Sequence, residues 1–81
     1  MRIEVLCFAT ARDAVGASRL ELEIEEGSTV ASTLAVLAAR HPGLGPGLAS
    51  LRCAVNEEFV AAETRLRPGD ILALIPPVSG G

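Results

Sequence analysis

Apolar and polar residues alternate along the opening segment RIEVLCF. Ile3, Val5 and Cys7 fall on one face of an extended chain and Arg2, Glu4, Leu6 and Phe8 on the other, which predicts a first strand. ARDAV then reads as a short helical turn stopped at Gly16. LELEIEE alternates again, with Leu20, Leu22 and Ile24 inward and Glu21, Glu23 and Glu25 outward. After the break at Gly27-Ser28-Thr29 the period lengthens. Val30, Leu34, Leu37 and Ala38 share one face of a helix that Ser28 or Thr29 can cap and that Pro42-Gly43 must end.

PGLGPGLAS, residues 42 to 50, carries three glycines and two prolines and is expected to be a loop. LRCAVN predicts a third strand, Asn56-Glu57 a tight turn, and FVA a short strand beyond it. Arg67-Pro68-Gly69-Asp70 has the proline and glycine of a type II turn at its two central positions. The last strand, ILALI, is apolar on both faces, and such a strand belongs inside a sheet. The order ββαββ predicts an α+β fold, a mixed sheet with the first and last strands side by side at its centre and one main helix across one face. That is the β-grasp arrangement of ubiquitin-like proteins. Residues 1–75 are expected to form this domain, with residues 76–81 as an extended C-terminal tail.

Composition narrows the function. The chain has 81 residues, one domain's worth, and a net charge of −3. It contains two phenylalanines, no tryptophan, no tyrosine and no lysine. A weakly acidic, aromatic-poor chain argues against nucleic-acid binding and suits a protein partner with a basic face. The apolar runs are too short for a membrane span, the N-terminus lacks signal-peptide character, and a cytoplasmic location is expected. Cys7 and Cys53 lie in apolar runs without the spacing of a zinc or redox motif, so two reduced core thiols are expected and no metal site. His41, the only histidine, stands where the helix should end, without a catalytic partner in view. Glu57 and Glu58 are adjacent and therefore diverge. No constellation of nucleophile, base and oxyanion donor emerges, and without lysine there is no phosphate-binding P-loop. The chain reads as non-catalytic on its own, with no bound cofactor.

The C-terminus, LALIPPVSGG, holds the clearest signal. Pro76 and Pro77 cannot extend a sheet ladder, and Pro76 biases Ile75 towards extended geometry. Val78, Ser79, Gly80 and Gly81 follow, ending in almost bare backbone. Six residues from Pro76 can reach roughly 18–20 Å. Such a tether can thread a narrow channel and deliver the Gly81 carboxylate into another protein's active site. Phe8, Phe59 and Ile75 are expected to form an exposed apolar docking patch near its root.

IPPVSGG, together with AVN at 54–56, PGD at 68–70 and the opening RIEVLCFATARDAVG, resembles the family of molybdopterin synthase small subunits, the sulfur carriers of molybdenum cofactor synthesis. The resemblance covers nearly the whole chain. One departure is Leu74-Ile75, where family members often have an aromatic residue before the proline pair. The resemblance implies that an adenylyltransferase similar to ubiquitin E1 uses ATP to adenylate Gly81. A sulfur donor protein then converts Gly81 to a thiocarboxylate. The synthase large subunit accepts the tail, and cyclic pyranopterin monophosphate receives the sulfur to build a dithiolene. The chain would then be the sulfur-donating part of a transferase complex. Sulfur carriage for thiamine or for tRNA thiolation, a ubiquitin-like protein tag, and a β-grasp binding module remain as alternatives.

Overall fold

The computed structural model describes residues 1–77. Five strands form one mixed sheet: β1 (Arg2–Cys7), β2 (Arg19–Glu23), β3 (Arg52–Val55), β4 (Glu58–Phe59) and β5 (Ile71–Ile75), in the order β2-β1-β5-β3-β4. The first and last strands pair in parallel at the centre, with Val5 beside Leu72 and Cys7 beside Leu74. Every other pairing is antiparallel. Helix α1 (Ala9–Val15) links β1 to β2, and α2 (Val30–Arg40) crosses the sheet. This is the expected β-grasp arrangement.

The alternation read from the strands decides what is buried. Ile3, Val5, Cys7, Leu22, Cys53, Leu72 and Leu74 turn to the helix side and meet Val30 and Leu37 of α2. Burial of an aliphatic side chain of this size contributes about 1.5–3 kcal/mol, so this one cluster carries most of the stability of a small domain. Cys7 and Cys53 are free and buried, and desolvation raises both thiols above their ordinary pKa. They stay protonated and poorly nucleophilic, as packing residues do.

Several local expectations change in the folded chain. The helix buries Thr33 fully, whereas Leu34 and Ala38 are only partly covered. A threonine is accepted there because its hydroxyl donates to the Thr29 carbonyl at 2.8 Å, leaving no polar atom unpaired. Thr29 caps α2 in a reciprocal capping box with Ser32. Residues 42 to 50 are not a loop but a 3-10 helical stretch, Pro42–Ser50, which buries Leu44 and packs on both helices. Pro42 fits the first turn because it lacks an N–H that would go unused there. Gly43 lies so close to α1 that an added Cβ would stand 3.3 Å from the Ala14 Cβ. The second strand stops at Glu23, and β4 is Glu58–Phe59 rather than residues 59 to 61. Ala9, the first residue of α1, has φ 48°, in the left-handed region without the usual glycine.

Among the described residues, no helix is long and apolar enough to cross a membrane. Nor do three or more His, Cys, Asp or Glu side chains converge as metal ligands among them.

Candidate functional site

The root of the tail is placed by a turn and a clamp at the opposite end of β5. Gly69, at φ 83°, closes the Arg67–Asp70 turn, and the Asp70 N–H donates to the Arg67 carbonyl at 3.1 Å. The Asp70 carboxylate accepts from the Arg67 N–H at 2.8 Å and from the Asn56 side-chain amide at 3.0 Å. Asn56 in turn accepts from the Ile71 N–H at 3.0 Å, and its own N–H donates to the Ile71 carbonyl at 2.9 Å. The AVN and PGD segments, 14 residues apart at Asn56 and Asp70, are thus one hydrogen-bonded clamp. It sets the register of β5 against β3, so that Ile75 ends the strand directly beside Arg52. Asn56 also tolerates the left-handed turn it occupies, at φ 50°. Replacing it with alanine removes both side-chain bonds and should cost about 1–2 kcal/mol in urea melts, modest because the bonds are exposed.

The second pleat of the sheet faces away from both helices. On its β2–β1 half it is charged. Arg2 lies 3.3 Å from Glu21 and 3.1 Å from Glu23, and Arg19 bonds Glu4. These exposed pairs contribute at most about 1 kcal/mol each. The stripe of glutamates expected to be solvated is solvated, with arginine counterions across the strands. On the other half the face is apolar. Leu6, Ala73, Ala54 and Phe59 lie in one row across four strands, with Ile71 to one side and Ile75 to the other.

The three residues expected to form a docking patch share this open face. Phe8 is 48% exposed and Phe59 65%, while Ile75 is half-buried. The Phe8 N–H donates to the Leu74 carbonyl at 3.3 Å, which sets Phe8 beside Ile75 at the tail root. Phe59 stands on the far edge strand, on the order of 14 Å away at ordinary strand spacing. Phe8 and Phe59 therefore border the patch rather than touch. What joins them is a residue that the sequence pattern did not single out. Arg52 neighbours Ile75 and lays its guanidinium over the Phe59 ring, 5.2 Å from the centroid. The strand order that brings Arg52 to the tail root is not written in any local segment.

Pro76 and Pro77 leave the sheet beside a shallow groove of about 360 Å³ between α1 and the 3-10 stretch, lined also by Ala11, Ala14, Gly43 and Leu44. They make no ladder bonds, in keeping with the missing N–H groups. Val78, Ser79, Gly80 and Gly81, the remainder of the expected tail, lie outside the described residues. The described residues supply an anchored exit point and an apolar face around it, and no cluster of acid, base and nucleophile.

The chain matches the ThiS family over residues 5–81. It is 36% identical over 83 residues to the molybdopterin synthase sulfur carrier subunit of Chlamydomonas reinhardtii, an alignment covering all of both chains. The corresponding subunit of Arabidopsis thaliana is 37% identical over 81 residues, covering 100% of this chain and 84% of that one. Among solved structures, SAMP1 of Haloferax volcanii superposes with a TM-score of 0.90 at 28% identity, covering both chains fully.

Proposed function

The chain belongs to the ThiS family, with the molybdopterin synthase sulfur carrier subunits, and we propose that it carries sulfur as a thiocarboxylate on Gly81. The observation that carries this reading is full-length similarity to sulfur carrier subunits in a chain whose last strand ends in Pro76-Pro77, clear of the sheet. Residues 1–75 serve as the folded body and residues 76–81 as the delivery tail.

The chemistry follows from what a carboxylate cannot do. It is a poor acyl donor, so an adenylyltransferase first spends ATP to form the acyl adenylate at Gly81. Sulfur from a donor protein displaces AMP. The resulting thiocarboxylate is ionised near neutral pH, and its soft sulfur is a better nucleophile than carboxylate oxygen. The tail enters the active site of the synthase large subunit and gives its sulfur to cyclic pyranopterin monophosphate. A dithiolene needs two sulfurs, so two thiocarboxylates are used for each product, and water cleaves each acyl C–S bond to return the Gly81 carboxylate. This chain supplies no catalytic side chain and holds no cofactor; ATP belongs to the activating enzyme.

Incubation with the host's adenylyltransferase, ATP and a sulfur donor tests the reading by intact mass. Exchange of one terminal oxygen for sulfur is the expected result, and conversion of the pterin precursor on adding the large subunit assigns the pathway. An unchanged mass would overturn it. The likeness to SAMP1, a small archaeal modifier protein, favours a second reading, attachment to other proteins. That reading requires adducts on other chains in the same incubation.

Docking of the open sheet face is part of the proposal. Phe8→Asp should weaken binding to the large subunit by about 10-fold or more while moving the folding midpoint little, because the side chain is half outside the fold. Titration calorimetry and a thermal melt on the same sample check both halves. Unfolding by Phe8→Asp would show that the ring serves the core instead.

A further inference from the structure

The open face of the sheet carries three arginines, and they are not equivalent. Arg2 and Arg19 sit on the β2–β1 half, and each is matched by glutamates of the same face. Arg52 has no carboxylate within ion-pair distance among the described residues. The nearest acid by sequence on the adjoining hairpin strand, Glu58, pairs in register with Val55 and so stands on the opposite pleat. Around Arg52 the open face offers Ile75, Ala54, Ala73 and Phe59. The guanidinium is held instead over the Phe59 ring, at 5.2 Å.

A cation in this setting is prepared for an anion. The ring beside it limits the rotamer freedom of the side chain, so less entropy is lost when a carboxylate arrives. The apolar residues beside it will exclude water once a partner covers them, which strengthens a charge-assisted, two-pronged hydrogen bond. The position matters as much as the chemistry. Arg52 is the cross-strand neighbour of Ile75, the last sheet residue before Pro76. Any protein that takes in the tail must bring surface close to it.

We propose that Arg52 is a partner-recognition residue, whose guanidinium receives an aspartate or glutamate side chain at the rim of the tail-accepting channel. The inference rests on the proposed function, because it takes the synthase large subunit as that partner. It also departs from the overall charge of the chain: at −3 the whole molecule suits a basic partner, whereas the contact nearest the tail asks for an acid. A partner matched to both would be basic opposite the β2–β1 half and acidic at the channel mouth, which fixes the orientation in which the carrier docks.

The test compares wild type with Arg52→Met, Arg52→Lys and Arg52→Glu. Binding to the host's large subunit is measured by titration calorimetry at low and high salt. Arg52→Met keeps the apolar stem, and its affinity should fall about 10- to 100-fold with a flatter salt dependence. Arg52→Lys should recover part of the loss, since an ammonium keeps the charge but not the planar fork. Arg52→Glu should bind most weakly and regain affinity when an acid at the channel mouth of the large subunit is changed to arginine. Sulfur transfer at saturating carrier should stay near the wild-type rate, which separates docking from chemistry. Equal affinity and salt dependence for wild type and Arg52→Met overturns the assignment of Arg52 alone. Failure of the wild-type chain itself to bind the large subunit overturns the functional reading and the Arg52 contact with it.

Discussion

Deletion of Gly81 should leave the domain folded and lower sulfur transfer by at least about 100-fold, since displacing a reacting group by even 1 Å can cost that much. The shortened chain still ends in a glycine carboxylate, that of Gly80. That carboxylate sits one residue short, about 3.3–3.6 Å along an extended chain, whereas reacting atoms must approach to roughly 3–3.5 Å. The loss should therefore appear in thiocarboxylate formation as well as in transfer, because both steps need the same terminal carbon at the same depth. Stability should change by less than about 0.5 kcal/mol, because Leu72 and Leu74 fasten the last strand and glycine adds no side chain to the core. Intact mass after incubation with the activating enzyme, ATP and sulfur donor reads the first effect, and a urea melt the second. A truncated chain that still acquired sulfur and supported product formation would sink the terminal-glycine mechanism.

The largest effect on folding should come from Leu74→Ala, which is expected to cost about 3–4 kcal/mol and to lower the melting midpoint by more than about 10 °C. Leu74 has no solvent exposure and pairs in register with Cys7 on one side and Cys53 on the other. Its removal leaves a cavity bounded by two central strands, which paired backbone cannot easily close. Ile75→Ala, one residue on, should cost much less, since Ile75 lies half-buried on the open pleat. Equilibrium urea unfolding of the two variants compares the faces of the strand directly. Equal costs would mean that the open face is covered in the isolated chain. The pair also divides stability from function: Leu74 holds the root of the tail, and Ile75 belongs to the surface offered beside it.

Most of the fold was legible because its strands alternate. A period of two assigns each side chain to a pleat without knowledge of its neighbours, so Val5 and Leu22 could be placed from the sequence, whereas in ILALI, apolar on both faces, only the fold turned Leu72 and Leu74 inward. Pro68-Gly69 and Asn56 likewise carry their turn chemistry in their own backbone preferences. The 3-10 stretch at 42 to 50 was hidden because glycine and proline weaken helix signals, while burial of Leu44 against the helices supplies what propensity lacks. Thr33 was hidden because a hydropathy pattern counts it as polar, and only its bond to the Thr29 carbonyl removes the penalty of burial. The left-handed φ of Ala9 has no residue signal at all.

The same division holds for the site. The sequence by itself determined that Val-Ser-Gly-Gly follows a stiff proline pair, and that Phe8 falls on the face of the first strand opposite Ile3, Val5 and Cys7. These are properties of single residues and of a local period. Only the tertiary structure decided that Arg52 rests on Phe59 beside Ile75, and that Asn56 and Asp70 form one clamp. Both depend on which strands lie next to one another. That order is fixed by burying one shared core beneath α2, through contacts between segments far apart in the chain, and no local pattern specifies it.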